Sequence, residues 1–120
     1  MSKRLIKRKE VYWVDLGKTV GSEINKIRPC LVISNDWINS FNNRIIIIPF
    51  TSQEVPIIFF HLKINFAGKP ATILPEQIRS ISRKRILDKA GEISNEIIIE
   101  VSQLLKVICE LDKDMKQINP

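Results

Sequence analysis

The 120-residue chain predicts a mainly β fold with α: a small, strongly curved, antiparallel barrel with one C-terminal helix packed against it. Three observations lead there. Short runs rich in Val, Ile, Phe, Tyr and Trp recur between turn signals, as strands do. Helical periodicity is confined to one stretch near the C-terminus. The alternation of strands and helices that signals a parallel sheet is absent. The length fits a single domain over residues 1–120, able to bury a core without disulfides or metals.

Taken in order, residues 1 to 9 carry Lys3, Arg4, Lys7, Arg8 and Lys9 with no acid. They read as a solvated, frayed terminus or as a basic arm that attracts nucleic acid. Glu10 to Leu16 is the first strand, and residues 17 to 27 are a loop. Arg28 to Ser34 is the second strand, stopped by Ser34-Asn35-Asp36. Residues 35 to 43 are expected as a polar loop whose Trp37 and Phe41 either pack back on the barrel or stack on bases.

Arg44 to Pro49 holds four consecutive isoleucines, the pattern of a fully buried strand. A fourth strand is expected over Ile57 to Asn65, with His61 on the same face as Lys63 and so partly exposed. Ala67-Gly68-Lys69-Pro70 is a turn. Thr72 to Ile81 reads as a long fifth strand with Pro75 at a bulge or edge. Ser82 caps a helical turn over Arg83 to Leu87, and Gly91 breaks the chain. Ser94 caps the amphipathic helix, about residues 95 to 111, with Ile97, Ile98, Val101, Leu104, Leu105, Ile108 and Leu111 at helical spacing.

The net charge is +6, which points to an anionic partner, most often nucleic acid. Cys30 and Cys109 lie in apolar stretches without a second Cys or His at metal-ligand spacing, so both read as core residues in a reducing cytoplasm. The chain shows no secretory leader and no apolar run near the roughly 18 residues of a membrane helix.

Function concentrates on Gly21-Ser22-Glu23-Ile24-Asn25-Lys26-Ile27-Arg28-Pro29. Gly21 opens a turn, and Pro29 belongs at a strand's start or edge. Glu23 and Arg28 thus sit on a loop braced by a strand, where functional residues gather. They read as a surface salt bridge or as a pair suited to a phosphate. Thr51 and Ser52, at the end of the isoleucine strand, read as a self-bonding turn or as phosphate ligands.

These stretches, together with Val11-Tyr12-Trp13-Val14-Asp15-Leu16, Val32-Ile33-Ser34-Asn35, Pro49-Phe50-Thr51-Ser52, Glu76-Gln77-Ile78-Arg79-Ser80-Ile81 and Arg85, resemble the MazF/PemK-type toxins from about residue 8 to residue 111. The resemblance implies an SH3-like barrel of the CcdB/MazF kind. It implies a cytoplasmic homodimer that cuts single-stranded RNA at short motifs without the ribosome, a metal or any other cofactor. The partner it implies is a cognate antitoxin whose extended acidic tail covers the RNA groove. The family's functional arginine matches Arg28, its functional hydroxyl Thr51 and its loop glutamate Glu23. In some members the base is a carboxylate at the position of Glu76, although those members carry an arginine where this chain has Leu74. Ser22, Lys26, Ser52, Gln77 and Arg79 are the matching RNA-binding candidates.

Metal-free RNA cleavage uses the 2′-hydroxyl as nucleophile. It needs a base, donors for the crowded phosphorane and an acid for the 5′-oxygen. Arg28 offers a fork of donors to phosphate oxygens, Thr51 a hydroxyl donor, and Glu23 or Glu76 a carboxylate base. A two-histidine mechanism is excluded by the single histidine. The competing readings are a toxin of the same fold that poisons DNA gyrase by binding alone, and an inactive RNA-binding barrel.

Overall fold

A computed structural model describes residues 4–17, 27–56 and 58–113. In chain order it contains β1 (Glu10–Asp15), β2 (Ile27–Val32), α1 (Asp36–Phe41), β3 (Arg44–Thr51), β4 (Leu62–Phe66), β5 (Lys69–Ile73), β6 (Arg79–Ser82), β7 (Ile86–Glu92) and α2 (Asn95–Cys109). The sheet runs β4-β5-β3-β2-β1-β7, with β6 also on β3. Every pairing is antiparallel, as expected of a mainly antiparallel barrel with a C-terminal helix.

The isoleucine strand is the hub. The first half of β3 pairs with β6 and its last two residues, Phe50 and Thr51, pair with β5. One strand thus serves two neighbours along one side, and the sheet curls around it. Its side chains alternate between two cores. Ile45 and Ile47 join Tyr12, Val14, Cys30 and Val32 on one side. Ile48 and Phe50 join Val11, Leu31, Ile98 and Val101 on the other, under α2. Both faces are covered, which explains a run without polar alternation.

α2 starts where the sequence places it. The Ser94 side chain accepts a hydrogen bond from Ile97 N, satisfying one of the free first-turn donors. Ile98 and Val101 are buried against the sheet, and Ile99 and Val107 face solvent.

Several expectations give way. Residues 36 to 41 are a helix, not loop, because the Asn35 side chain caps it by accepting from Ile38 N. Trp37 and Phe41 do not pack back on the barrel. They meet each other edge to face at 4.8 Å and remain 74% and 52% exposed. The basic terminus is not frayed from Arg4 onward: Ile6 is buried, and the Arg4 guanidinium donates to the carbonyls of Ile86 and Leu87, each at 2.7 Å.

β4 begins only at Leu62. His61 therefore precedes the strand, and its side chain is only 9% exposed, held 2.9 Å from Glu76. The expected long fifth strand is broken by a 3-10 turn over Pro75–Gln77, since Pro75 lacks the ladder donor. The short helical turn after Ser82 covers Arg83–Arg85 only, and its Ser82 cap accepts from Lys84 N. The next residues form β7, which the sequence reading lacked. Cys109 is exposed rather than buried.

Candidate active site

The antiparallel register of β2 and β3 sets Cys30 opposite Pro49, Leu31 opposite Ile48 and Val32 opposite Ile47. Continued two residues past Cys30, it carries Arg28 to the level of Thr51. Pro29 lies just before that ladder begins, so its missing N–H interrupts no bond to β3. Arg28, Pro29, Thr51 and Ser52 then line one wall of a groove of about 510 Å³.

Arg28 is half-buried, and its Nη1 donates to the Phe50 carbonyl at 3.5 Å. That contact lays the guanidinium along the end of β3. Thr51 is 5% exposed, and its Oγ1 accepts from Gln53 N at 3.2 Å. The turn bond uses one lone pair only; the hydroxyl proton is still free to donate. The self-bonding reading and the phosphate reading of Thr51 are therefore compatible, because the turn orients the hydroxyl that a phosphate would meet.

Beneath the wall, burial pushes the Cys30 thiol up to about 12, against the opposing pull of Arg28 and Arg79. Both guanidinium groups thus act on one buried thiol. Arg79 lies opposite Ile47 in the β6–β3 register, so its charge adds to the field on this side of the barrel.

The other candidates are placed differently. Ser22, Glu23 and Lys26 lie outside the described residues. Glu76 and Gln77 sit on the 3-10 turn, where the Glu76 carboxylate is engaged by His61 Nε2. Glu76, Gln77 and Arg79 are not among the residues lining the groove. Arg28, Thr51 and Ser52 are therefore brought together, and Glu76 stands apart from them in the same chain. Among the described residues, no three His, Cys, Asp or Glu side chains are grouped to hold a metal ion. No helix among them is long and apolar enough to cross a membrane.

Sequence reasoning did not single out other residues that line the groove, among them Trp13, Gln53, Phe66 and Lys69. Trp13 and Phe66 read as ordinary strand formers, and Lys69 as part of a turn. Gln53 follows the candidates Thr51 and Ser52 directly in the chain, whereas strand pairing carries Trp13, Phe66 and Lys69 to the groove. Elsewhere on the barrel, Glu10 accepts from Lys7 N at 2.7 Å and from Tyr12 Oη at 2.9 Å, and Lys89 Nζ lies 2.8 Å from it. Burial alone would raise the Glu10 carboxyl, but these donors bring it below the ordinary value.

The curled antiparallel barrel has structural counterparts among solved proteins. MazF (Form-I) from Deinococcus radiodurans superposes with a TM-score of 0.78 at 21% identity, covering 90% of this chain and 99% of that one. An endoribonuclease of a mycobacterial species, solved in complex with its cognate antitoxin, gives 0.74 at 18% identity, covering 88% and 96%. These likenesses define the fold class. In sequence, the chain is 34% identical over 111 residues to Endoribonuclease EndoA of Bacillus subtilis (strain 168), covering 86% of this chain and 93% of that protein. Residues 7–109 match the family of PemK-like, MazF-like toxins of type II toxin-antitoxin systems, and the chain belongs to that family.

Proposed function

We propose that this chain is a cytoplasmic toxin endoribonuclease, a homodimer that cuts single-stranded RNA at short motifs without a metal. The observation that carries the proposal is the register that brings Arg28 and Thr51 together on one groove wall. The similarity to a protein named an endoribonuclease supports it. The 2′-oxygen attacks the adjacent phosphorus as a carboxylate takes its proton, and a phosphorane forms. The bond from phosphorus to the 5′-oxygen then breaks, and that oxygen takes up a proton. The products are a 2′,3′-cyclic phosphate and a 5′-hydroxyl.

Arg28 stabilises the dianionic phosphorane through paired donors, and Thr51 donates to a non-bridging oxygen. Glu76 is tied to His61 away from the groove, which favours Glu23 as the base. Ser22, Lys26 and Ser52, with Gln77 and Arg79 on the neighbouring turn and strand, would hold the flanking RNA. An extended acidic tail of a cognate antitoxin suits the same cationic groove. The relatives described as endoribonucleases favour cleavage over the poisoning of DNA gyrase, which would not need a guanidinium beside a hydroxyl.

The test compares cleavage of one short RNA by wild type, Arg28→Ala, Arg28→Lys and Thr51→Val, with melting temperatures measured alongside. Loss of a donor group aimed at the transition state costs roughly 10²–10³ in rate, so Arg28→Ala falls by that factor. Arg28→Lys restores little, because the fork is lost. Thr51→Val loses less. A folded Arg28→Ala that cuts within about threefold of wild type would overturn the assignment; a surface salt bridge alone has no such effect on rate.

A further inference from the structure

Arg28, Thr51 and Ser52 take up only part of the groove. Trp13, Lys69, Ala71 and Ala90 face the rest. Trp13 departs from the pattern of β1: Val11, Tyr12 and Val14 are buried, yet Trp13 is 42% exposed. β1 is an inner strand between β2 and β7, where a large apolar ring is normally covered. The register with β7 slips around it. Tyr12 pairs with Lys89 and Val14 with Ile86, with an irregularity between them that leaves Trp13 without a β7 partner. Such bulges re-aim side chains and recur beside functional sites. On its other side Trp13 pairs with Pro29, the neighbour of Arg28. Ala71 and Ala90 keep the adjoining wall low. Lys69, on the same lining, has no ion-pair partner among the described residues.

We propose that the Trp13 ring is the stacking platform for an unpaired RNA base next to the phosphate held at Arg28. The inference rests on the RNA-cleaving reading of the groove and assigns its base subsite. Every base has a π-face, so an aromatic platform accepts single strands; removing one weakens binding on the order of tenfold to a hundredfold per base. A base inside a duplex is already stacked on both faces and cannot use it. The Lys69 ammonium adds attraction to the strand's phosphates.

The chain has two tryptophans, so Trp37→Phe leaves Trp13 as the sole reporter. Random-sequence single strands of 2′-O-methyl RNA, about twelve nucleotides long, serve as a ligand that cannot be cut. Trp13 emission is followed during titration, and affinity is read from the anisotropy of labelled RNA. Saturable quenching should track the anisotropy. Trp13→Phe, which keeps a ring, should bind within about threefold of the parent. Trp13→Leu, which keeps apolar cover but no ring, should bind at least about tenfold more weakly at an unchanged melting temperature. Trp13→Leu binding as tightly as the parent, or RNA binding with Trp13 emission unchanged, would overturn the platform. A wild type that neither binds nor cuts RNA would remove the reading of the groove itself, whereas RNA that is bound and cut beside a silent Trp13 removes the platform alone.

Discussion

Thr51 closes a turn of the fold at the edge of the groove. Its oxygen accepts from Gln53 N, which tightens the turn leaving β3 and leaves the hydroxyl able to donate. The two cysteines divide just as clearly. Cys30 is buried with its thiol pushed up to about 12, and Cys109 is exposed. Thiolate is the reactive form, so a thiol reagent at neutral pH should modify Cys109 in the native protein and reach Cys30 only after denaturation. Equal labelling of both under native conditions would contradict the placement of Cys30. Glu10 gives a pH signature. Its folded pKa lies below the ordinary 4.5, so its contribution is complete above that value and is lost as pH falls through the folded one. Melting temperatures of wild type and Glu10→Gln should differ most above the ordinary carboxylate value and converge as pH falls through the lowered folded one.

At the scale of elements, what was legible had a local cause. β1 to β3 announced themselves through β-branched and aromatic runs, and α2 through its Ser94 cap and apolar stripe. α1 buries only Asn39 of its six residues and looked like a loop; it is held by the Asn35 cap and by buried Asn39. The Asn39 amide accepts from Ser34 Oγ and donates to the Ser34 carbonyl at 2.9 Å. Asn39→Ala removes both bonds, leaving Ser34 Oγ with only the bond it accepts from Ile46 N, and should cost about 1–3 kcal/mol, measured by denaturant unfolding. β7 was illegible because Leu87, Asp88 and Lys89 are exposed; pairing with β1, not side-chain pattern, makes it a strand. The site divided the same way. Arg28 and Thr51 sit at strand ends next to turn signals and could be found, whereas Trp13 and Lys69 depend on contacts across the sheet. Gly91 marks one such contact, since a Cβ there would stand 2.9 Å from Phe66 Cζ. Phe66 lines the groove, so Gly91→Ala should shift the ring and weaken RNA binding, measured by anisotropy.

For the whole molecule, a net charge of +6 makes RNA affinity fall with salt, as counterions released from phosphates are recovered. A cleavage site locked in a stable duplex should be cut far more slowly than the same site unpaired, because base readout needs splayed bases. Sedimentation at micromolar protein should show a dimer without ligand. The most direct measurement is of the products themselves. Purified protein is incubated with a short single-stranded RNA in excess EDTA, and the new ends are identified by mass spectrometry. Undiminished cleavage with 2′,3′-cyclic phosphate and 5′-hydroxyl ends is the result expected of an arginine, a hydroxyl and a carboxylate acting on the 2′-oxygen. Cleavage abolished by EDTA, or products with a 5′-phosphate, would contradict that chemistry.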